Sequence, residues 1–119
     1  MSSALDIARY ILYTLYNVGD LVTNLKLQKL LYYASAEYSK VQNGNTLFEE
    51  AIEMDDYGPR IKEVDTAYQC FGNNWIVDYA IVDCCELPED KVLAIEETLR
   101  RYMSCSACEL GYRTKTSLS

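Results

Sequence analysis

The side chains able to do chemistry are few in kind and gathered in three places. From Glu49 to Asp56 five of eight residues are acidic. Carboxylates at that density could hold a divalent cation or serve as general acid and base. No second ligand cluster or phosphate-binding loop accompanies them, which favours a solvated acidic edge. Cysteines stand at 70, 84, 85, 105 and 108. The Cys105-x-x-Cys108 spacing suits a dithiol redox pair, yet such a pair needs a helix start behind a strand, and this one follows a helical stretch with no flanking cation. Joined with Cys84-Cys85 it could make a four-thiolate zinc site, although adjacent cysteines are awkward tetrahedral ligands. Free thiols, several packed as small apolar residues, are the simpler reading. The chain has no histidine, which removes Ser/His and Cys/His nucleophile pairs, imidazole acid–base catalysis and histidine-ligated metals. No catalytic residue, metal ligand or cofactor is assigned, and the expectation is a protein that is not an enzyme. The third place is Tyr57-Gly58-Pro59-Arg60, where a turn exposes an aromatic and an arginine together, the pairing enriched at binding hot spots.

The elements that must position these groups follow from periodicity. At about 100° per residue, Leu27, Leu30, Leu31, Ala34, Tyr38 and Val41 form one stripe, so a helix capped by Thr23 or Asn24 is the central core element. Lys26, Lys29, Tyr33, Glu37 and Lys40 lie along one flank of that stripe, and Gln28, Tyr32, Ser35 and Ser39 along the other. Patterned flanks suit a surface that holds a partner. An earlier helix starts at a Ser3 and Asp6 capping arrangement, buries Leu5, Ala8, Ile11, Leu12 and Leu15, and stops near Val18 and Gly19. The short connection Asp20–Val22 makes these two helices antiparallel neighbours. Asn43-Gly44-Asn45 ends the second. Leu47 and Phe48 return to the core, and alternation of Ile52 and Met54 with Glu53 and Asp55 predicts a short, half-exposed strand.

Gly58 allows a positive φ and Pro59 fits a first helical position, so a third helix carrying Ile61, Val64, Tyr68 and Phe71 is expected to start at the tetrapeptide. Gly72-Asn73-Asn74 breaks it. Residues 75–82 are rich in β-branched and aromatic types and read as extended, beside residues 52–54, or as a short buried helix. Pro88-Glu89-Asp90 opens a helix with Val92, Ile95, Leu99, Tyr102 and Met103 inside and Arg100 and Arg101 near its end. Ser106 with Glu109 suggests one last short helix. The fold class is mainly α: a compact bundle of four to five helices with a short β element, in one domain over residues 1–119, with 113–119 as a loose tail.

Half of the 119 residues are hydrophobic, 24% are charged and the net charge is −7. That charge repels phosphate backbones and anionic lipid, so neither nucleic acid nor membrane is an expected partner, and a protein with a basic surface is. No apolar run reaches 18 residues and the N-terminus lacks the pattern of a secretory leader, so the expected location is the cytoplasm. The oligomeric state is left open.

Leu25-Lys26-Leu27-Gln28-Lys29-Leu30-Leu31-Tyr32-Tyr33-Ala34, then Gly44, Leu47-Phe48-Glu49-Glu50, then Tyr57-Gly58-Pro59 and a helix bearing Val64 and Tyr68, together resemble the Panacea domain, also called SocA-like or GepA phage-associated. The resemblance covers about residues 5 to 71. It implies a mainly helical antitoxin domain, often encoded by prophages beside a toxin gene, that neutralises a toxin by direct binding; one branch acts as a proteolytic adaptor. Residues expected at the partner face are Lys26, Gln28, Lys29, Tyr32, Tyr33, Tyr57, Gly58, Pro59 and Arg60. The same scaffold aimed at a host defence enzyme, and a metal-binding module or enzyme built on the carboxylates or cysteines, are the alternatives.

Overall fold

Helix α2 (Asn24–Val41) packs against α1 (Ala4–Asn17), strand β2 (Gly58–Arg60), α3 (Lys62–Tyr68) and, most extensively, α4 (Glu89–Tyr102). A computed structural model describes residues 3–77 and 87–102. Within them the architecture is mainly helical, with one two-stranded antiparallel sheet made of β1 (Glu53–Asp55) and β2.

Each helix begins and ends where local chemistry dictates. Ser3 Oγ accepts from the Asp6 N–H while the Asp6 carboxylate accepts from the Ser3 N–H, a reciprocal capping box on α1. Glu50, from far along the chain, takes the Ala4 N–H at 3.0 Å and closes a further donor of the same terminus. At the other end Gly19 adopts φ 76°, and the Gly19 and Asp20 N–H groups return to the Tyr16 and Leu15 carbonyls, the Schellman arrangement. Thr23 caps α2 through the Lys26 N–H. Its C-terminus repeats the α1 device with Asn43 in the left-handed position (φ 57°) and the Gly44 N–H on the Ser39 carbonyl at 2.8 Å.

The core holds Ile7, Ile11, Leu15, Leu27, Leu30, Leu31, Leu47, Ile61, Val64 and Ile95, with Ile76 pinned by its N–H to the Val22 carbonyl. Tyr38 meets Asp90 while Tyr33 lies beside Thr98 and Arg101, so α2 and α4 run antiparallel. Tyr38 donates its hydroxyl to Asp90 Oδ2 at 2.9 Å, and the Lys91 ammonium lies 6.0 Å from the centre of the same ring. Burial first, then the Asp90 hydrogen bond and charge, raises the Tyr38 pKa and keeps the phenol protonated as a donor.

Four expectations need correction. Val41 is 62% exposed, at the edge of a small recess that it lines with Asp90, Leu93 and Ala94 of α4. Gly58-Pro59-Arg60 is strand rather than helix start. It pairs Glu53 with Arg60, Met54 with Pro59 and Asp55 with Gly58, and α3 begins at Lys62. Strand β1 is exposed at all three positions, so Met54 faces solvent rather than core. Among the described residues β1 pairs with β2, not with residues 75–77, which are irregular. Residues 78–82, the cysteines at 84, 85, 105 and 108, Met103, the last short helix and the 113–119 tail lie outside the described residues. Cys70 is an exposed free thiol. No group of three or more metal-ligating side chains occurs among the described residues, and no helix there is long and apolar enough to cross a membrane.

Candidate functional site

The hairpin is fastened to the helices by a chain of polar contacts rather than by apolar packing alone. Gln28, 3% exposed on α2, accepts the Ile61 N–H on Oε1 at 2.7 Å and donates from Nε2 to Asn24 Oδ1 at 3.1 Å. Asn24 Nδ2 in turn donates to Asp65 Oδ1 on α3 at 2.7 Å. Arg60 then bridges two carboxylates, with Nε on Asp55 Oδ2 at 2.7 Å and Nη1 on Asp65 Oδ2 at 3.2 Å. Asp55 Oδ1 takes the Tyr57 N–H at 2.8 Å, which fixes the turn. One continuous path thus joins α2, α3 and both strands. Gly58, at φ 114°, supplies the positive backbone angle behind the turn.

Electrostatics agree with the geometry. Partial burial alone would raise the Asp55 pKa, but the Tyr57 N–H, the Arg60 guanidinium and the Gly58 N–H together hold it below its ordinary value. Burial likewise opposes the charge on Arg60, and Asp55 and Asp65 more than offset it, raising the Arg60 pKa. Both shifts favour the ionised form of the Asp55–Arg60 pair.

This path walls a recess of ≈ 480 Å³ between the start of α2, the hairpin, α3 and the Gly72-Asn73 turn. Tyr57, 67% exposed, forms part of its rim, and Gln69 and Asn73 line it as well. Of the residues expected at a partner face, Gln28, Tyr57, Pro59 and Arg60 line this one recess, with Gly58 buried between them in sequence. Lys26 and Tyr32 are half-buried on α2, and burial raises the Tyr32 pKa. Lys29 (2% exposed) and Tyr33 (9%) are interior side chains. Tyr33 packs edge-on against Tyr32, with ring centres 5.6 Å apart, and lines a separate small recess with Thr98 and Arg101. A helix covered by four neighbours buries its flanks together with its stripe, which is why Gln28, Lys29 and Tyr33 serve the interior.

From the sequence, Asn24 stands only as a cap candidate and Asn73 only as part of a helix break, and neither Asp65 nor Gln69 is marked. The i, i+4 spacing of Asn24 and Gln28 was a local signal for a paired amide. Asp65 had none, since its partners come from α2 and β2. A mainly helical domain with a hairpin pinned across its central helix, and a polar recess under the hairpin turn, is the class of protein these features define. A scan of protein-family models, a search of curated proteins and a search of solved structures each find no match to this chain.

Proposed function

We propose that this chain is a cytoplasmic, antitoxin-like protein that neutralises a protein partner by direct contact, without chemistry of its own, as its resemblance to the Panacea domain implies. The observation that carries the reading is Tyr57, a large aromatic held two-thirds exposed on a turn whose backbone is tied down by Asp55 and, through Arg60 and Asp65, to two helices. An aromatic side chain presented on a rigid mount loses little entropy on binding, and tyrosine and arginine are the types that dominate interface energies. Glu49, Glu53 and Asp56 are exposed on the hairpin and the loop before it, and suit a basic partner surface. The side-chain inventory points the same way: without histidine, the familiar nucleophile–base pairs cannot be built.

Co-expression with the product of the adjacent gene tests the reading. Tagged wild-type chain is expected to co-purify with that product and to relieve its toxicity, and Tyr57→Ala to weaken capture by about tenfold or more, as for a hot-spot truncation. A chain that captures nothing from such a pair and rescues no growth defect refutes it.

A further inference from the structure

In the recess, acceptors outnumber cations. Asp55 and Asp65 flank Arg60 and the three charges sum to −1, while Glu53, Asp56 and Glu63 stand exposed on the adjoining hairpin and α3. Lys26 and Lys29 of α2 do not line the space. Asp55 already accepts from the Tyr57 and Gly58 N–H groups and Arg60 Nε, and Asp65 from Asn24 Nδ2 and Arg60 Nη1; a carboxylate has about four lone-pair sites, so each keeps some acceptor capacity. The exposed Tyr57 belongs to the lining, as do Gln69 and Asn73 with their side-chain amides. A carboxylate entering this space would meet two like charges. A planar guanidinium would meet one like charge, Arg60, and several complementary groups: the Tyr57 ring to stack on, carboxylate oxygens for its edge, and side-chain amides for its remaining N–H groups. At ≈ 480 Å³ the recess lies within the size range of sites that enclose a small ligand.

We propose that the recess is the seat of an arginine side chain presented by the partner protein, the anchor of the contact. This rests on the protein-binding reading above and adds to it the chemical identity of the anchoring group. Arginine is favoured over lysine because a compact ammonium cannot stack on Tyr57 and address two acceptors in one plane at once.

The test is a titration of isotope-labelled full chain with N-acetyl-arginine amide, N-acetyl-lysine amide and N-acetyl-glutamate amide, followed through the side-chain amide signals of Asn24 and Asn73 and the backbone amide of Tyr57. The arginine compound is expected to move these signals saturably, the lysine compound more weakly, and the glutamate compound not at all. Gln69→Lys places a competing cation at an exposed lining position and should weaken the arginine response about tenfold. Tyr57→Leu removes the ring and keeps the backbone bond to Asp55, and should weaken it about threefold. Both substitutions lie at exposed side chains outside the polar path, so the fold is retained and the amide spectrum reports it. Equal responses to all three compounds, or a response to arginine unchanged by both variants, overturn the proposal. A chain that captures its partner yet fails this titration loses the arginine anchor and keeps the binding role; one that binds the arginine compound but captures no partner loses the role instead.

Discussion

At Gln28 one buried amide serves two elements, taking the Ile61 N–H where β2 hands over to α3 and holding Asn24 in place for Asp65. A leucine of similar volume would fill the space but leave the Ile61 N–H and Asn24 Oδ1 without these partners. Gln28→Leu should therefore lower unfolding stability by about 2 kcal/mol, read from urea denaturation at neutral pH. Asp55 gives a residue-level pH dependence. Its pKa is depressed in the folded chain, so its contribution is fully present above the ordinary value of 3.8 and is lost as pH falls through the lower folded value. Wild type should unfold at higher urea than Asp55→Asn at pH 7, and the gap should close as the pH is taken below 3.8. A gap that persists undiminished at low pH would show that the carboxylate's charge is not what Arg60 and the turn respond to. The Asp55 and Arg60 side chains are each more than a third exposed, so solvent screening keeps this contribution modest.

Among the elements, the helix ends offer the clearest tests. Asn43 is the non-glycine residue with positive φ among those described, and it stands where α2 stops. An asparagine tolerates that conformation better than alanine does, so Asn43→Ala should cost about 1 kcal/mol, measured as a shift in the thermal or urea midpoint. Glu50 closes α1 from a loop 46 residues away. Glu50→Ala should cost about 1 kcal/mol, the scale of a lost cap, and should speed hydrogen exchange at Ala4 while leaving the α4 amides unchanged. The hairpin was only half legible beforehand. The alternation at residues 52–55 identifies β1, but Gly58-Pro59-Arg60 carries the residue types of a helix start. Their strand character comes from pairing with Glu53–Asp55, where Pro59 can sit opposite Met54 in a two-stranded sheet.

Over the whole molecule, net charge and its placement bear on the proposed contact with a basic partner. With −7 overall and carboxylates concentrated on the hairpin and the loop before it, binding to a basic partner should slow by on the order of tenfold as salt rises from roughly 0.05 to 0.5 M. Dissociation should change much less. Stopped-flow mixing with a partner captured in the co-expression test would measure both rates, and an association rate indifferent to salt would remove the proposed steering role of the acidic hairpin. The central position of α2 also sets how much of the candidate site could be read in advance. Tyr57 is legible as an exposed side chain because turn chemistry is local, whereas Arg60, expected to be exposed beside it, lies in β2, half-buried against Asp55 and Asp65. Lys29 and Tyr33 read as part of the same face because the flank residues of a helix look alike in sequence, whichever flank a neighbour covers.

What the sequence by itself determined is everything set within a few residues. The Ser3 and Thr23 caps, the Gly19 and Asn43 stops, the stripes of α1 and α2 and the opening of α4 at Glu89 all follow from side chains that meet their own neighbouring backbone or recur on one helical face. Only the tertiary structure decided that Gly58–Arg60 is a strand, that Gln28 and Lys29 are interior, and that Asn24 and Asp65 join Arg60 around a recess. The physical reason is range. A cap or a period is satisfied by contacts three or four positions away, whereas strand pairing, burial of a second helix face and a carboxylate shared between β2 and α3 depend on which distant segments arrive alongside.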